Sequence, residues 1–246
     1  MSDVSLLGLT GKRTLVTGGG AGLGQAIAQW LARAGCDVAV ADLDAEAAAT
    51  TVKLIEAEGR SGIGILANVR DEAQVANMVD QTVAGLGGVD VAVNNVGNLA
   101  GRPAGPFIEM DSADVREIIE QNLLATALCC QAEARAMITQ GAGGCIINVS
   151  SGESTRPAIT LAPYGAAKSG INHLTSTLAV ELGPYDIRVN AIAPGTTLTA
   201  TVGNALPADY LTALVASHPL SRLNQAEDLA RIAVFMASDL AQNVTG

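Results

Sequence analysis

The sequence predicts an α/β protein: one doubly wound parallel sheet with helices on both faces, in a single domain spanning residues 1–246. Three observations carry this. Short apolar runs recur along the chain, longer amphipathic stretches separate them, and no linker, repeat or low-complexity segment interrupts the alternation. The runs are Arg13–Thr17, Asp37–Ala41, Gly62–Leu66, Asp90–Asn94, Cys145–Val149 and Ile187–Ala191. Each is about five residues long and apolar on both faces, as buried parallel strands are. Helical patterns fill the intervals at roughly 22–34, 44–58, 71–85, 111–139, 163–182 and 226–237. Asp71 and Asp111 stand at N-cap positions. Gly35, Gly59 and Gly183 follow helices, where a terminating glycine belongs.

Of the 246 residues, 49% are hydrophobic but only 2% aromatic. Alanine, valine, leucine and glycine therefore build the core, which suits close packing of helices on a sheet. The net charge is −10, with no basic run, so neither nucleic acid nor an anionic membrane surface is an expected partner. Cys36, Cys129, Cys130 and Cys145 form no CxxC pair and read as buried thiols in a reducing cytoplasm. The opening MSDVSLLGLTGKR lacks the apolar stretch of a signal peptide. No uncharged apolar run reaches the roughly 18 residues a membrane helix needs. His173 and His218 are too few and too far apart to hold a metal, and none is expected.

The first strand runs into TGGGAGLG, Thr17–Gly24. Gly18 allows a tight turn, and Gly22 lets backbone N–H groups approach a pyrophosphate. Gly24 lets the next helix pack close to the sheet, its positive N-terminus facing the anion. Asp42 follows the second strand, 24 residues past Gly18. A carboxylate there accepts hydrogen bonds from both ribose hydroxyls of NAD and repels the 2′-phosphate of NADP. A helix N-cap is the other role open to Asp42, and Asp44 could fill it equally well. No Lys or Arg lies in the glycine loop to offset the repulsion, so NAD is the expected cofactor.

The stretch SSGESTRPAITLAPYGAAK, Ser150–Lys168, places a lysine four residues after a tyrosine. On one helix these share a face. A free phenol has a pKa near 10, and a nearby ammonium favours the phenolate. Tyr164 then trades protons with an alcohol or a ketone. Ser151, just past a strand, could hydrogen-bond the substrate oxygen and hold it against the phenol.

Over nearly its whole length the sequence resembles the short-chain dehydrogenase/reductase family in its roughly 250-residue, Rossmann-type form. TGGGAGLG resembles that family's TGxxxGxG loop, and NNVG, Asn94–Gly97, its NNAG. Asn122 in QNLLAT matches the asparagine that holds a relay water, and Ser151, Tyr164 and Lys168 match the catalytic serine, tyrosine and lysine. Pro194, Gly195 and Thr199 resemble the PGxxxT segment over the nicotinamide. The resemblance implies cofactor contacts at Gly18, Gly20, Gly22, Leu23, Gly24, Asp42, Leu43, Asn68, Val69, Asn95, Gly97, Tyr164, Lys168, Pro194, Gly195, Thr197 and Thr199. It also implies a homotetramer, with the helices near 111–139 and 163–182 pairing between subunits.

There are departures from the family pattern. Val96 replaces the usual alanine, and Asn68 stands where an aspartate is common. The family ordinarily ends in a further strand reading roughly QxxxVDGG, whereas this sequence ends at NVTG, which weakens the assembly inference. Glu153 and Arg156 either line the substrate mouth or form a solvated loop. His173 is expected to pack on the tyrosine helix. Residues 196–220 read as a substrate lid, in which Leu206, Tyr210, Leu211 and Leu214 face either substrate or core.

The expected activity is NAD-dependent hydride transfer between nicotinamide and a secondary alcohol or its ketone, with a lean toward oxidation. A 3-oxoacyl-thioester reductase is the closest rival. A non-catalytic dinucleotide-binding protein is the reading from another class, and it predicts a damaged trio that this sequence does not have.

Overall fold

The computed structural model describes residues 6–198 and 208–246. In chain order its principal elements begin β1 (Arg13–Thr17), α1 (Gly22–Arg33), β2 (Asp37–Asp42), α2 (Ala45–Ala57), β3 (Gly62–Leu66), α3 (Glu72–Leu86) and β4 (Val91–Asn94). Then come α4 (Ser112–Ile119), α5 (Ala125–Gln140), β5 (Gly144–Val149), α6 (Ala162–Leu182) and β6 (Ile187–Ile192). The last elements are β7 (Thr197–Leu198), α7 (Ala208–Ser217), β8 (Asn224–Gln225) and α8 (Ala226–Ala237).

Six strands form one parallel sheet in the order β3-β2-β1-β4-β5-β6. Each strand is apolar on both faces because both faces are covered. Along β2, Val38 and Val40 pack with α1, α2 and α8, while Ala39 and Ala41 pack on the side of α3, α5 and α6. The covering helices bury one stripe each. In α1 the buried positions are Gly24, Ile27, Ala28, Leu31 and Ala32, a spacing of three and four residues. On the outer side of α1, the guanidinium groups of Arg33 and Arg231 lie 5.4 and 4.9 Å from the Trp30 ring centre, tying α1 to α8.

The strand order reverses at β1. Chain progress runs from β1 outward to β3, then returns to β4 on the other side. A crevice therefore opens at the carboxyl ends of β1 and β4, where such sheets bind ligands. Thr17 is level with both Ala41 and Asn94, and Asn94 with Asn148, so four strands deliver their following loops to one edge.

Caps settle several local questions. Asp44 accepts from the N–H groups of Glu46 and Ala47, so it caps α2 and leaves Asp42 for the crevice. Asp71 and Asp111 cap α3 and α4 as expected. Gly183 follows α6 at its C-cap as expected, but not in the left-handed conformation of a terminating glycine: its φ is −53°, the chain continues into a short turn, and Asp186 takes the left-handed conformation at φ 58°. The expected helix at 111–139 is interrupted by a π turn, Glu120–Leu124. The cause is Asn122, whose side chain takes the carbonyl of Ile118 at 2.8 Å, the acceptor its own backbone N–H would use in an α-helix. At the other edge, the Gly246 N–H donates to Val189 O and the Asn190 side chain to Val244 O, so the final residues run beside β6.

Candidate active site

The crevice is a cleft of about 520 Å³. Gly18 and Leu23 line it from the β1–α1 turn, and Asp42 and Leu43 from the end of β2. Asn68 and Val69 follow β3, while Asn95 and Gly97 follow β4. Ser151, Tyr164 and Lys168 stand on the β5–α6 side, and Pro194, Gly195 and Thr197 follow β6. Gly20, Gly22, Gly24 and Asn122 are not among the lining residues: Gly20, Gly24 and Asn122 are buried and Gly22 is exposed. Thr199 and Leu206 lie outside the described residues, as does the 199–207 part of the expected lid. Of the rest of that segment, Thr197–Leu198 pair in parallel with Asn224–Gln225.

The glycine loop is shaped by contacts that exclude a side chain. A Cβ on Gly24 would lie 2.1 Å from the Gly18 carbonyl oxygen, a backbone atom that cannot step aside. Asn95 locks the same turn from β4, its Nδ2 donating to Gly18 O at 3.1 Å and its N–H to Thr17 Oγ1 at 3.1 Å. Ala21, at the N-cap of α1, offers no side-chain acceptor. The first N–H groups of a twelve-residue helix thus reach the cleft without a side-chain cap, a built acceptor for an anion.

Asp42 accepts from Gly20 N–H at 2.8 Å on one oxygen and from Asp44 N–H at 3.1 Å on the other. Its carboxylate is oriented by backbone alone and keeps lone pairs for a ligand. Among the lining residues, Asp42 and Lys168 are the only charged side chains, so no cation faces Asp42 at its end of the cleft. Asn68 uses its Oδ1 on the Arg70 N–H and leaves its amide donors free.

At the other end, Lys168 is 1% exposed. Its Nζ donates to Val149 O at 2.8 Å and lies 5.7 Å from the centre of the Tyr164 ring. Burial pulls its pKa down to about 8. The phenol does not show the expected lowering. Burial pushes Tyr164 up, the Ser151 hydroxyl pulls against it through a hydrogen bond, and the Glu153 carboxylate adds to the rise. The ammonium sits over the ring face and is engaged by a carbonyl, so burial governs the phenol.

Asn122 is fully buried, its Nδ2 shared between Asn98 O at 2.7 Å and Ile118 O, while its Oδ1 has no partner. That oxygen and the Lys168 amine converge above Gly97, since a Cβ there would lie 2.6 Å from each. Gly97 is therefore the floor of a small polar space between the two.

Sequence reasoning passed over three contributors. Ser150 Oγ donates to the Lys168 carbonyl at 3.1 Å, Val149 supplies the acceptor for the amine, and Asn98 supplies one for Asn122. Only the doubled serine in INVSS signals the first. The others act through backbone carbonyls and leave no trace in residue type. Glu153 and Arg156 pair with each other, and neither lines the cleft.

A family model described as enoyl-(acyl carrier protein) reductase matches residues 18–246. The short chain dehydrogenase/reductase astE of Aspergillus oryzae is 39% identical over 243 residues, covering 97% of this chain and 92% of that protein. The cis-4-hydroxycyclohexanecarboxylate dehydrogenase of Sinomonas cyclohexanicum is 37% identical over 232 residues, covering 94% and 91%. The solved structure of 7 alpha-hydroxysteroid dehydrogenase complexed with NADH and 7-oxo glycochenodeoxycholic acid matches with a TM-score of 0.93 at 33% identity, covering 100% of this chain and 94% of that one. With the glycine loop, the serine, the tyrosine and the lysine gathered at one sheet edge, the chain belongs to the short-chain dehydrogenase/reductase family of oxidoreductases.

Proposed function

We propose that the protein is an NAD-dependent dehydrogenase acting between a secondary alcohol and its ketone. The observation that carries this reading is the distribution of chemistry along one cleft. Asp42 stands at the end of β2, the uncapped start of α1 follows the neighbouring strand β1, and Ser151, Tyr164 and Lys168 stand beyond β4. The spacing suits a dinucleotide: an acceptor for ribose hydroxyls, N–H donors for a pyrophosphate, and acid–base groups at the reacting end. Asp42 has no neighbouring cation to receive a 2′-phosphate, which favours NAD over NADP.

A bound oxidised nicotinamide would accept hydride at C4 and add a positive charge beside the phenol. Tyr164 takes the alcohol proton in oxidation and returns it in reduction. Ser151 holds the substrate oxygen against the phenol. Lys168, anchored by the Val149 carbonyl beside the phenol ring, binds the nicotinamide ribose. Asn122, with its free oxygen, supports a water that relays the proton.

The names of two relatives, a hydroxycyclohexanecarboxylate dehydrogenase and a hydroxysteroid dehydrogenase, favour an alcohol on an aliphatic ring. The name of the matching family model, a reductase of acyl-carrier-protein thioesters, favours a second reading, reduction of the ketone of a 3-oxoacyl thioester. Among the described residues no helix is long and apolar enough to cross a membrane, and the four cysteines are free and buried, which fits a reducing compartment such as the cytoplasm. Exposed Leu124, Ile138 and Val180 on or beside α5 and α6 favour the homotetramer, which light scattering checks.

The test is NADH formation screened across cyclic, steroid, sugar and hydroxyacyl secondary alcohols, with 3-oxoacyl thioesters run in reverse. Turnover of a ring alcohol with NAD and little with NADP is expected. Efficient turnover of thioesters alone would replace this reading with the second.

A further inference from the structure

On the sheet face covered by α3, α5 and α6 lies a polar cluster that the proposed chemistry leaves unused. Glu133 of α5 is 0% exposed, Asn94 at the end of β4 is 2% and Asn148 of β5 is 0%. Asn94 Nδ2 donates to Glu133 Oε2 at 2.9 Å and to Asn148 Oδ1 at 3.1 Å, and Asn148 Nδ2 donates to Thr175 Oγ1 of α6 at 3.0 Å. Two oxygens of this cluster have no partner: Glu133 Oε1 and Asn94 Oδ1.

An ionised carboxylate and an amide oxygen are both acceptors only, so neither orphan can satisfy the other while Glu133 is charged. The titratable neighbours on α5 are Cys129 and Cys130, both pushed up by burial and therefore neutral thiols. From β4, β5 and α6 the cluster meets Asn94, Asn148 and Thr175. α3 presents Val75, Met78, Val79 and Thr82 on its buried side. No cation is among these groups. A buried carboxyl in such surroundings takes up a proton rather than remain an unpaired charge.

We propose that Glu133 is a neutral carboxylic acid whose O–H donates to the free oxygen of Asn94, and that this acid–amide pair is a positioning device for the carboxyl ends of β4 and β5. The acid donates to the amide oxygen and accepts from the amide nitrogen, satisfying both orphans at once. Asn94 leads directly into Asn95 and Gly97. Asn148, level with it, leads into Ser150 and Ser151. Ionisation of Glu133 breaks the pair where both strands hand over to the cleft.

Burial pushes Glu133 from 4.5 up to about 7, against the pull of the Asn94 hydrogen bond. With the folded value above the unfolded one, the stabilisation is complete below the unfolded value and is lost as pH rises toward the folded one. The folded-to-unfolded ratio then falls about tenfold per pH unit across that window.

The experiment compares the wild type with Glu133→Gln, a neutral side chain that keeps both hydrogen bonds, and with Glu133→Leu, which keeps neither. Thermal midpoints and NADH affinity are followed from pH 5 to pH 9, limits of roughly the stable range. The wild-type midpoint is expected to decline between about pH 5 and 7 relative to Gln, with the wild-type NADH affinity falling severalfold past about pH 7. The Gln variant should hold its affinity and the Leu variant should be weak throughout. The Lys168 amine titrates in all three proteins and cancels in their ratios. Identical wild-type and Gln profiles would overturn the proposal. Should the Gln variant fail to fold, the infrared spectrum of the wild type decides: a protonated-carboxyl band at pH 6 that fades toward neutrality supports the pair, and its absence refutes it. The melting and infrared readouts need no cofactor, so they stand or fall apart from the NAD reading.

Discussion

The Lys168 ammonium lies over the face of the Tyr164 ring, 5.7 Å from its centre, and donates to the Val149 carbonyl at 2.8 Å. This couples the two side chains through the ring while a carbonyl from the sheet anchors the amine. Burial opposes the charged forms of both groups. The protein alone therefore holds a protonated phenol beside a reluctant cation. Lys168→Met should relieve the cost of burying that cation, less the lost hydrogen bond, a net stabilisation of about 1–2 kcal/mol at neutral pH. Calorimetry should find the midpoint raised by a few degrees, with turnover lost. The sign follows from a folded pKa of about 8, below the usual 10.5. The penalty is full below pH 8 and fades above it, so the advantage of the variant should shrink in alkali.

Removing the phenolic oxygen leaves the ring in place. Tyr164→Phe is expected to lower kcat by about 10²–10⁴ while NADH affinity changes little. Steady-state kinetics alongside fluorescence titration separates the two. Unchanged turnover of a verified substrate would remove Tyr164 from its role.

The Asp42 carboxylate is already aimed by two backbone N–H groups. Asp42→Asn keeps an acceptor for Gly20 but removes the charge. NAD affinity should fall about tenfold, the loss of one charge-assisted hydrogen bond of roughly 1.5 kcal/mol, and the preference over NADP should narrow further. Competitive binding of the two dinucleotides measures the ratio.

Gly97 floors the space into which the Asn122 oxygen and the Lys168 amine converge. Gly97→Ala would place a methyl 2.6 Å from both. Both must give way, at a cost of about 1–3 kcal/mol. The variant should fold with a lowered midpoint and lose turnover well beyond its loss of NADH affinity.

The six strands were legible because a buried parallel strand needs apolar residues on both faces, and few other segments of this chain have them. The glycine loop and the cluster around Tyr164 were legible for a related reason: close backbone approach and proton transfer each demand particular residue types. Gly183 misled because a glycine after a helix permits a left-handed turn without requiring one, and Asp186 makes it instead. The π turn stayed hidden because it depends on which carbonyl the Asn122 amide finds. The Tyr164 pKa was misjudged because spacing on a helix places two residues on one face without fixing where a flexible amine ends. Glu133 escaped notice as an ordinary helical glutamate, yet Cys129, Cys130 and Met137 place it on the apolar stripe of α5, the one pattern that marks it.

The indole of Trp30, between Arg33 and Arg231, is the sole tryptophan of the chain. Any emission excited through an indole therefore comes from the one seam where α1 meets α8. The seam lies on the same helix whose first turn faces the cleft, about 12 Å along its axis from Gly22 at about 1.5 Å per residue. That separation is short enough for resonance energy transfer to a reduced dinucleotide, which gives this protein a built-in optical gauge of occupancy without any attached dye.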